Sequence, residues 1–269
     1  MDFDIVIDTP DHTVDMKSGL DTMQGASEVV RVITETLLTG HVPSRKSHKS
    51  TVRTSLKRSF KSSYGHTFSL DIFDSEQEAK LRQIGEKTFV EVMTYLMEES
   101  LYIHTRILSS SAQAIINDLG DNYDKLLSKL RQSPLKSLHE SSNRFNYGAK
   151  LRYRESDQVQ TIIKQVDRAT ASALNTKISK KKRDIRACIT RFNIYTGNGR
   201  LLVEGEEETI PFSIAIPYRD VKIETKKVFS NNLDLNNGVD PDARVYLNMR
   251  VRTIQSYGGY VVKFIIIGV

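Results

Sequence analysis

Carboxylate and imidazole groups, which often serve in acid–base catalysis, come closest together in this sequence at Asp8, Asp11 and His12. They fall where an apolar strand pattern gives way to a helical one, a position that can hold active-site groups. The same residues also fit a structural role, in which Asp11 caps the helix and His12 lies in solvent. The sequence favours the structural role, because this spacing matches no catalytic motif.

Recognised catalytic and cofactor motifs are missing from the sequence. It contains neither glycine-rich phosphate loop, no H-E-x-x-H, no paired C-x-x-C and no G-x-S-x-G. The six histidines are scattered, and the strand pattern around His66 favours a hydrogen-bonded, partly buried side chain. We therefore expect a binding protein rather than an enzyme, with no cofactor and no metal. A hydrolase whose carboxylates converge from distant positions is the alternative.

Positive charge is concentrated in two short segments, although the whole chain carries a formal net charge of +6. Segment 45–61 has seven lysines and arginines and no acid, and segment 177–183 has five. Such segments could contact phosphate backbones in a sequence-tolerant and salt-sensitive way. The sequence favours a solvated strand face with a flexible basic hinge over this contact, and a surface for an acidic protein partner is a further alternative.

A strand pattern near the C-terminus adds further candidates for nucleic-acid binding. Tyr246, Arg250 and Arg252 share the face opposite the apolar residues of 245–251. Aromatic and guanidinium groups on one exposed strand can stack on bases and neutralise phosphates. A polar outer face is also expected of any barrel strand, and the three glutamates of 206–208 would repel phosphate. The candidate nucleic-acid-binding residues are Arg53, Lys57, Lys61, Lys180, Lys181, Lys182, Arg183, Tyr246, Arg250 and Arg252.

Residues 184–269 show five short strands separated by glycine turns. The clearest turn is Thr196-Gly197-Asn198-Gly199, because Asn-Gly between apolar runs is a strong hairpin signal. A polar insert at 217–242, with a short helix at 219–229, fits the connection between the third and fourth strands. The pattern predicts a small closed β-barrel of the OB or SH3-like kind, an architecture that selects no ligand by itself.

Residues 1–74 predict a strand, a helix and an amphipathic hairpin. The helix begins at Asp11 or Thr13 and ends at Gly40. In the hairpin, the residues expected on the apolar face include Val52, Leu56 and Phe60. The first strand could pair with this hairpin, which would give a three-stranded sheet covered by the helix.

Residues 75–176 predict a helical region that packs on the first unit, including one helix at 157–174. The expected organisation is therefore 1–74, 75–176 and 184–269, in an α+β fold with the barrel last. A small sheet leaves edge strands that need cover. For this reason we expect a homo-oligomer or a complex with another subunit.

Composition indicates a folded chain. Its 269 residues are 39% hydrophobic and 27% charged, which is enough apolar material for two modest cores. No run approaches the roughly 20 apolar residues of a membrane span, and the first residues lack the pattern of a signal peptide. The single cysteine, Cys188, fits a small buried strand residue. We therefore expect a cytoplasmic protein that does not contact membranes.

The order of these pieces resembles a group of uncharacterised bacterial proteins that combine an N-terminal α/β region with a C-terminal five-stranded barrel. The matching pieces are residues 5–8, 20–40, 65–70 and 189–212. The resemblance implies no reaction and no catalytic residues, and proteins of this kind are expected in antiphage defence or mobile-element loci. Together with the residues, it suggests a non-catalytic binding or assembly subunit of a bacterial intracellular complex. A nucleic-acid or nucleotide sensor, and the hydrolase above, are the alternatives.

Overall fold

The computed structural model describes residues 1–44, 49–60, 64–103 and 107–269. The chain forms two compact units, residues 1–174 and residues 175–269. Each unit combines helices with a sheet, so the predicted α+β class is confirmed. Over the ranges just given, no helix is both long enough and apolar enough to cross a membrane.

A five-stranded antiparallel sheet forms the centre of the first unit. Its strands follow the spatial order β2-β3-β1-β4-β5. The strands are β1 (Asp2–Ile7), β2 (Val52–Phe60), β3 (Tyr64–Ile72), β4 (Ala149–Arg154) and β5 (Gln160–Val166). The predicted pairing of the first strand with the hairpin is confirmed through β1 and β3, but the sheet has five strands where three were expected.

Eight helices accompany the sheet in the described part of the first unit. They are α1 (Met16–Thr39), α2 (Ser75–Ile84), α3 (Glu86–Ser100), α4 (Ser110–Asp118), α5 (Asn122–Gln132), α6 (Pro134–Leu138), α7 (Glu140–Phe145) and α8 (Arg168–Ser172). Helix α1 begins later than expected, because its N-cap is Asp15, which accepts a hydrogen bond from the Ser18 amide at 2.9 Å. It ends at Gly40 as predicted, in the left-handed conformation that glycine adopts easily.

The two faces of this sheet differ in chemistry. Phe3, Ile5 and Ile7 alternate along β1 and join buried helical residues in one hydrophobic core. On the opposite face, Asp4 and Thr67 lie side by side and are also buried. The helices therefore pack on an apolar face, whereas the other face carries polar and charged side chains.

Two β-bulges explain where the sequence patterns misled. The pairing of β5 with β4 skips Ile163, so the apolar residues of β5 acquire a helix-like spacing, and the helix predicted at 157–174 is wrong. In β2 the pairing skips Lys57. As a result Phe60 lies opposite Gly65 on the polar face, and not with Val52 on the apolar face as expected.

The second unit contains the predicted five-stranded barrel, which is confirmed. Its elements are β6 (Thr176–Ile178), β7 (Arg183–Phe192), β8 (Gly199–Val203), β9 (Ile210–Ile214), α9 (Ile223–Leu235), β10 (Leu247–Ser256) and β11 (Val261–Gly268). The strands follow the order β7-β8-β9-β11-β10, and β10 pairs with β7 to close the barrel. Strands β9 and β11 are parallel, and the other neighbours are antiparallel. This order, with a helix between the third and fourth barrel strands, is that of an OB-type barrel.

Helix α9 completes the barrel core. Its Phe229 is fully buried against Phe192 and Phe212, with ring centroids 5.5 and 5.8 Å away. Asn232 of the same helix accepts a hydrogen bond from the Ile189 amide at 2.8 Å and donates one to the Val245 carbonyl at 2.8 Å. The helix therefore fixes both the apolar contacts and the backbone at one end of the barrel. Short 3₁₀ turns at Tyr218–Asp220 and Pro241–Ala243 flank it.

Candidate nucleic-acid interface

Three consecutive lysines project from the barrel between β6 and β7. Both strands pair with the same edge of β10, since Ile178 is opposite Ile254 and Arg183 is opposite Val251. The Ser179 amide donates to the Thr253 carbonyl at 2.8 Å and extends this pairing by one residue. The four residues 179–182, which join β6 to β7, therefore face only two residues of β10, Arg252 and Thr253. Lys180, Lys181 and Lys182, here called the lysine bulge, are displaced from the ladder beside Arg252.

The lysine bulge and its neighbours form an uncompensated cluster of positive charge. Its three lysines and Arg183 are exposed, and so is Lys177 of β6. Arg252 is half-buried, and its Nε atom is buried without a hydrogen-bond partner. Within the part of the chain that the structure describes, none of these six side chains forms an ion pair. The cluster can therefore attract an anionic ligand without first breaking internal salt bridges.

Two tyrosines extend this surface along the same strand. Tyr257 and Tyr260 lie in the turn between β10 and β11, and they are 81% and 78% exposed. Ser256, next to Tyr257, is paired with Thr176 at the start of β6. At about 3.3 Å per strand residue, Tyr257 stands about 17 Å along the strand from Arg252. The lysine bulge, its cationic neighbours and these two tyrosines together are called the basic track.

The structure brings together five of the ten residues proposed from the sequence. These five are Lys180, Lys181, Lys182, Arg183 and Arg252. Tyr257 and Tyr260 are binding candidates that the sequence pattern does not reveal, because two aromatic residues in a turn show no periodicity. Their only signal was the presence of large aromatic side chains in a glycine-containing hairpin turn, where no core requires them.

Two other candidates on the barrel are engaged by neighbouring side chains. Arg250 donates to Asp184 at 2.8 Å, and this hydrogen bond lowers the pKa of the Asp184 carboxyl. The ring of Tyr246 lies 5.8 Å from the guanidinium of Arg186, which in turn donates to Glu204 at 2.7 Å. The outer face of β7 and β10 is thus charge-balanced at these positions, in contrast to the basic track.

The glutamates of 206–208, which could have opposed phosphate binding, lie in the turn between β8 and β9. All three are exposed. Among the described residues they form no ion pair with the lysine bulge. They therefore do not neutralise the bulge directly.

The remaining basic candidates belong to the first unit. Lys57 forms an ion pair with Asp2 at 2.8 Å. Arg53 lies over the ring of Phe73, 4.9 Å from its centroid, and donates to the Ser50 carbonyl at 3.1 Å. Lys61, like Arg45 and Lys46, lies outside the described residues. Arg53 and Lys57 thus have partners within their own unit.

One member of the acid and histidine cluster proposed from the sequence is engaged by a lysine. Asp8 forms an ion pair with Lys150 at 2.9 Å, while Asp11 and His12 are exposed. Burial lowers the pKa of His66, which packs against Tyr64 with ring centroids 4.9 Å apart. In the described ranges, no three histidine, cysteine or acidic side chains are grouped so that they could hold a metal ion.

Comparisons of the chain with protein families, with curated proteins and with solved structures found no match.

Proposed function

We propose that this chain is a non-catalytic binding protein whose barrel holds single-stranded nucleic acid along the basic track. The observation that carries the proposal is the meeting of six cations, which form no ion pair among the described residues, with two exposed tyrosines beside one strand of an OB-type barrel. Lysine and arginine side chains would neutralise phosphates, and the tyrosine rings would stack on bases. Such binding tolerates any sequence, because every base has a flat face.

The preference for a single strand follows from the tyrosines. Bases in a duplex are stacked on each other, so exposed rings can reach them only where the strand is unpaired. The cations alone would bind any polyanion. The pairing of Ser256 with Thr176 places Tyr257 beside the start of β6 and so near the cations. The tyrosines can therefore add the preference for unpaired strands that charge alone lacks.

The proposed setting is a subunit of a larger bacterial intracellular assembly, for which the resemblance suggests antiphage defence. Strands β2 and β5 are the edges of the first sheet, and edge strands readily pair with other chains. A second copy of this chain or another subunit is the proposed partner. Light scattering of the purified chain and of material recovered from its host tests this, and a monomer at every concentration with no partner recovered would contradict it.

The nucleic-acid proposal is tested by fluorescence anisotropy of a labelled oligothymidylate across a range of salt concentrations. Replacing Lys181 and Lys182 with glutamate should weaken binding at least tenfold and make the salt slope shallower by about one to two. The matched control carries glutamate at Lys222 and Lys227, two exposed lysines at and within α9. This control has the same change in net charge and should bind nearly as well as the wild type. Equal losses in both variants would reduce the effect to net charge and refute the basic track.

A further inference from the structure

The polar face of the first sheet holds three arginines around a buried carboxylate. Pairing across four strands places Arg58, Thr67, Asp4 and Arg152 in one row. Arg154 lies two residues beyond Arg152 on the same face of β4. Together with Phe60 and Asp157, these arginines line an open cleft of about 430 Å³. This region is called the arginine cleft.

Asp4 holds one of the arginines in place. Its carboxylate is 0% exposed and accepts hydrogen bonds from Arg154 Nε at 3.0 Å and Arg154 Nη2 at 2.6 Å. Thr67 Oγ1 donates to the same carboxylate at 2.8 Å. The guanidinium of Arg154 also lies over the Phe60 ring, 5.4 Å from its centroid. A bidentate pair to a buried acid leaves this guanidinium little freedom to reorient.

Asp157 occupies the position between two arginines. It accepts hydrogen bonds from Arg58 and, at 3.2 Å, from Arg154 Nη1. Unlike Asp4, Asp157 is exposed, with 74% of its side chain accessible. It follows β4 in the connection to β5, so the carboxylate reaches the arginines from a surface turn. An exposed ion pair of this kind is weak, and a ligand with a higher negative charge can displace it.

Arg152 carries a buried hydrogen-bond donor that the fold itself does not explain. Its Nε atom is buried, and no described residue accepts a hydrogen bond from it. Buried donors nearly always have a partner, and an exception calls for a specific reason. Neither Asp4 nor Asp157 takes this role, because their hydrogen bonds come from Arg154, Thr67 and Arg58.

We propose that the arginine cleft binds the phosphate group of a small molecule, and that Asp157 occupies part of this site in the absence of ligand. A phosphate offers more acceptor oxygens than the single carboxylate of Asp157 and could engage Arg58 and Arg152 together. The volume falls within the range of small-molecule sites, about 300 to 1,000 Å³, so a group attached to the phosphate can also be accommodated. This site is separate from the basic track and does not depend on nucleic-acid binding by the barrel.

Calorimetric titration of the full chain tests the proposal with two probes, inorganic phosphate and adenosine monophosphate. Replacing Asp157 with asparagine removes the competing charge and should tighten phosphate binding about two- to fivefold, the range for the loss of a weak surface pair. Arg152→Met should weaken it at least tenfold. Tighter binding of the monophosphate than of inorganic phosphate would indicate a phosphorylated metabolite, and equal binding would indicate free phosphate.

The variant with glutamate at Lys181 and Lys182 separates the two sites, because it should titrate with phosphate like the wild type. Asp157 is exposed, so Asp157→Asn should keep the wild-type melting temperature even if Arg152→Met does not. No heat of binding for either probe at millimolar concentration would overturn the proposal. Unchanged or weaker phosphate binding by Asp157→Asn would overturn it as well.

Discussion

Gly25 of α1 packs directly on the backbone of Leu138 in α6. A Cβ atom added at residue 25 would come 2.1 Å from the Leu138 nitrogen, far inside any permitted contact. The neighbour is main chain, so it cannot move aside as the end of a side chain could. This close approach lets α1 and α6 pack without intervening side chains.

Gly25→Ala should therefore destabilise the first unit by at least about 3 kcal/mol, the upper end of common overpacking costs. Gly19 in the same helix provides the control, since a Cβ there would meet only the side chain of Val14. Gly19→Ala should be close to neutral, because alanine favours a helix by about 1 kcal/mol over glycine and this gain offsets the shift required of the Val14 side chain. Urea unfolding measures the free energy of unfolding of both variants. Equal values for Gly25→Ala and Gly19→Ala would contradict the close packing of α1 on α6.

Tyr257 and Tyr260 provide a test of base stacking that is independent of charge. Leucine at both positions should weaken binding of an unpaired oligonucleotide at least tenfold, since each stacked base contributes about 1 to 3 kcal/mol. Phenylalanine at both positions keeps the rings and should retain the wild-type affinity. Binding should be followed by anisotropy at constant salt. A loss that is the same for phenylalanine and leucine would assign the effect to the hydroxyl groups and contradict stacking.

His139 makes the first unit sensitive to acid. Its ring is fully buried, its Nδ1 lies 2.6 Å from the Leu135 carbonyl, and burial lowers its pKa. The unfolded chain, with a histidine pKa near 6.5, then binds more protons than the folded chain. The free energy of unfolding should therefore be highest above about pH 6.5 with respect to this histidine, and it should decrease as the pH falls toward the lowered pKa.

Chemical unfolding at several values between pH 7 and pH 5 checks this expectation. His139→Asn can still donate to the Leu135 carbonyl but cannot titrate, so its free energy of unfolding should change less over this range than that of the wild type. His66, whose pKa is also lowered by burial, is present in both proteins and cancels in the comparison. Parallel curves for the two proteins would exclude His139 as the source.

Cys188 should be inert in the folded protein. As the sequence predicted, it is a buried strand residue, and burial raises the pKa of its thiol. Reactivity requires the thiolate and access to the reagent, and both are suppressed here. A colorimetric disulfide reagent at pH 8 should label the native chain negligibly and label it fully in urea. Rapid labelling of the native chain would show that this part of the barrel opens readily.

The barrel could be predicted because its signals are local: Gly197 takes the left-handed conformation in the predicted turn, and apolar residues alternate on both sides. The five-stranded sheet could not, because bulges at Lys57 and Ile163 break that alternation. The same contrast applies to the sites. The lysine bulge is contiguous in sequence, whereas Arg58 and Arg152 meet only through strand pairing across a row of four strands.

The parallel pairing of β9 with β11 has a consequence for how the barrel forms during synthesis. Strands β7, β8 and β9 can associate as a local meander, but closure requires residues 261–268 to reach both β9 and β10. Contacts between residues so far apart in sequence carry a loop-closure cost and slow folding. Until β11 emerges from the ribosome, β9 keeps an open edge, which exposes the nascent chain to intermolecular pairing.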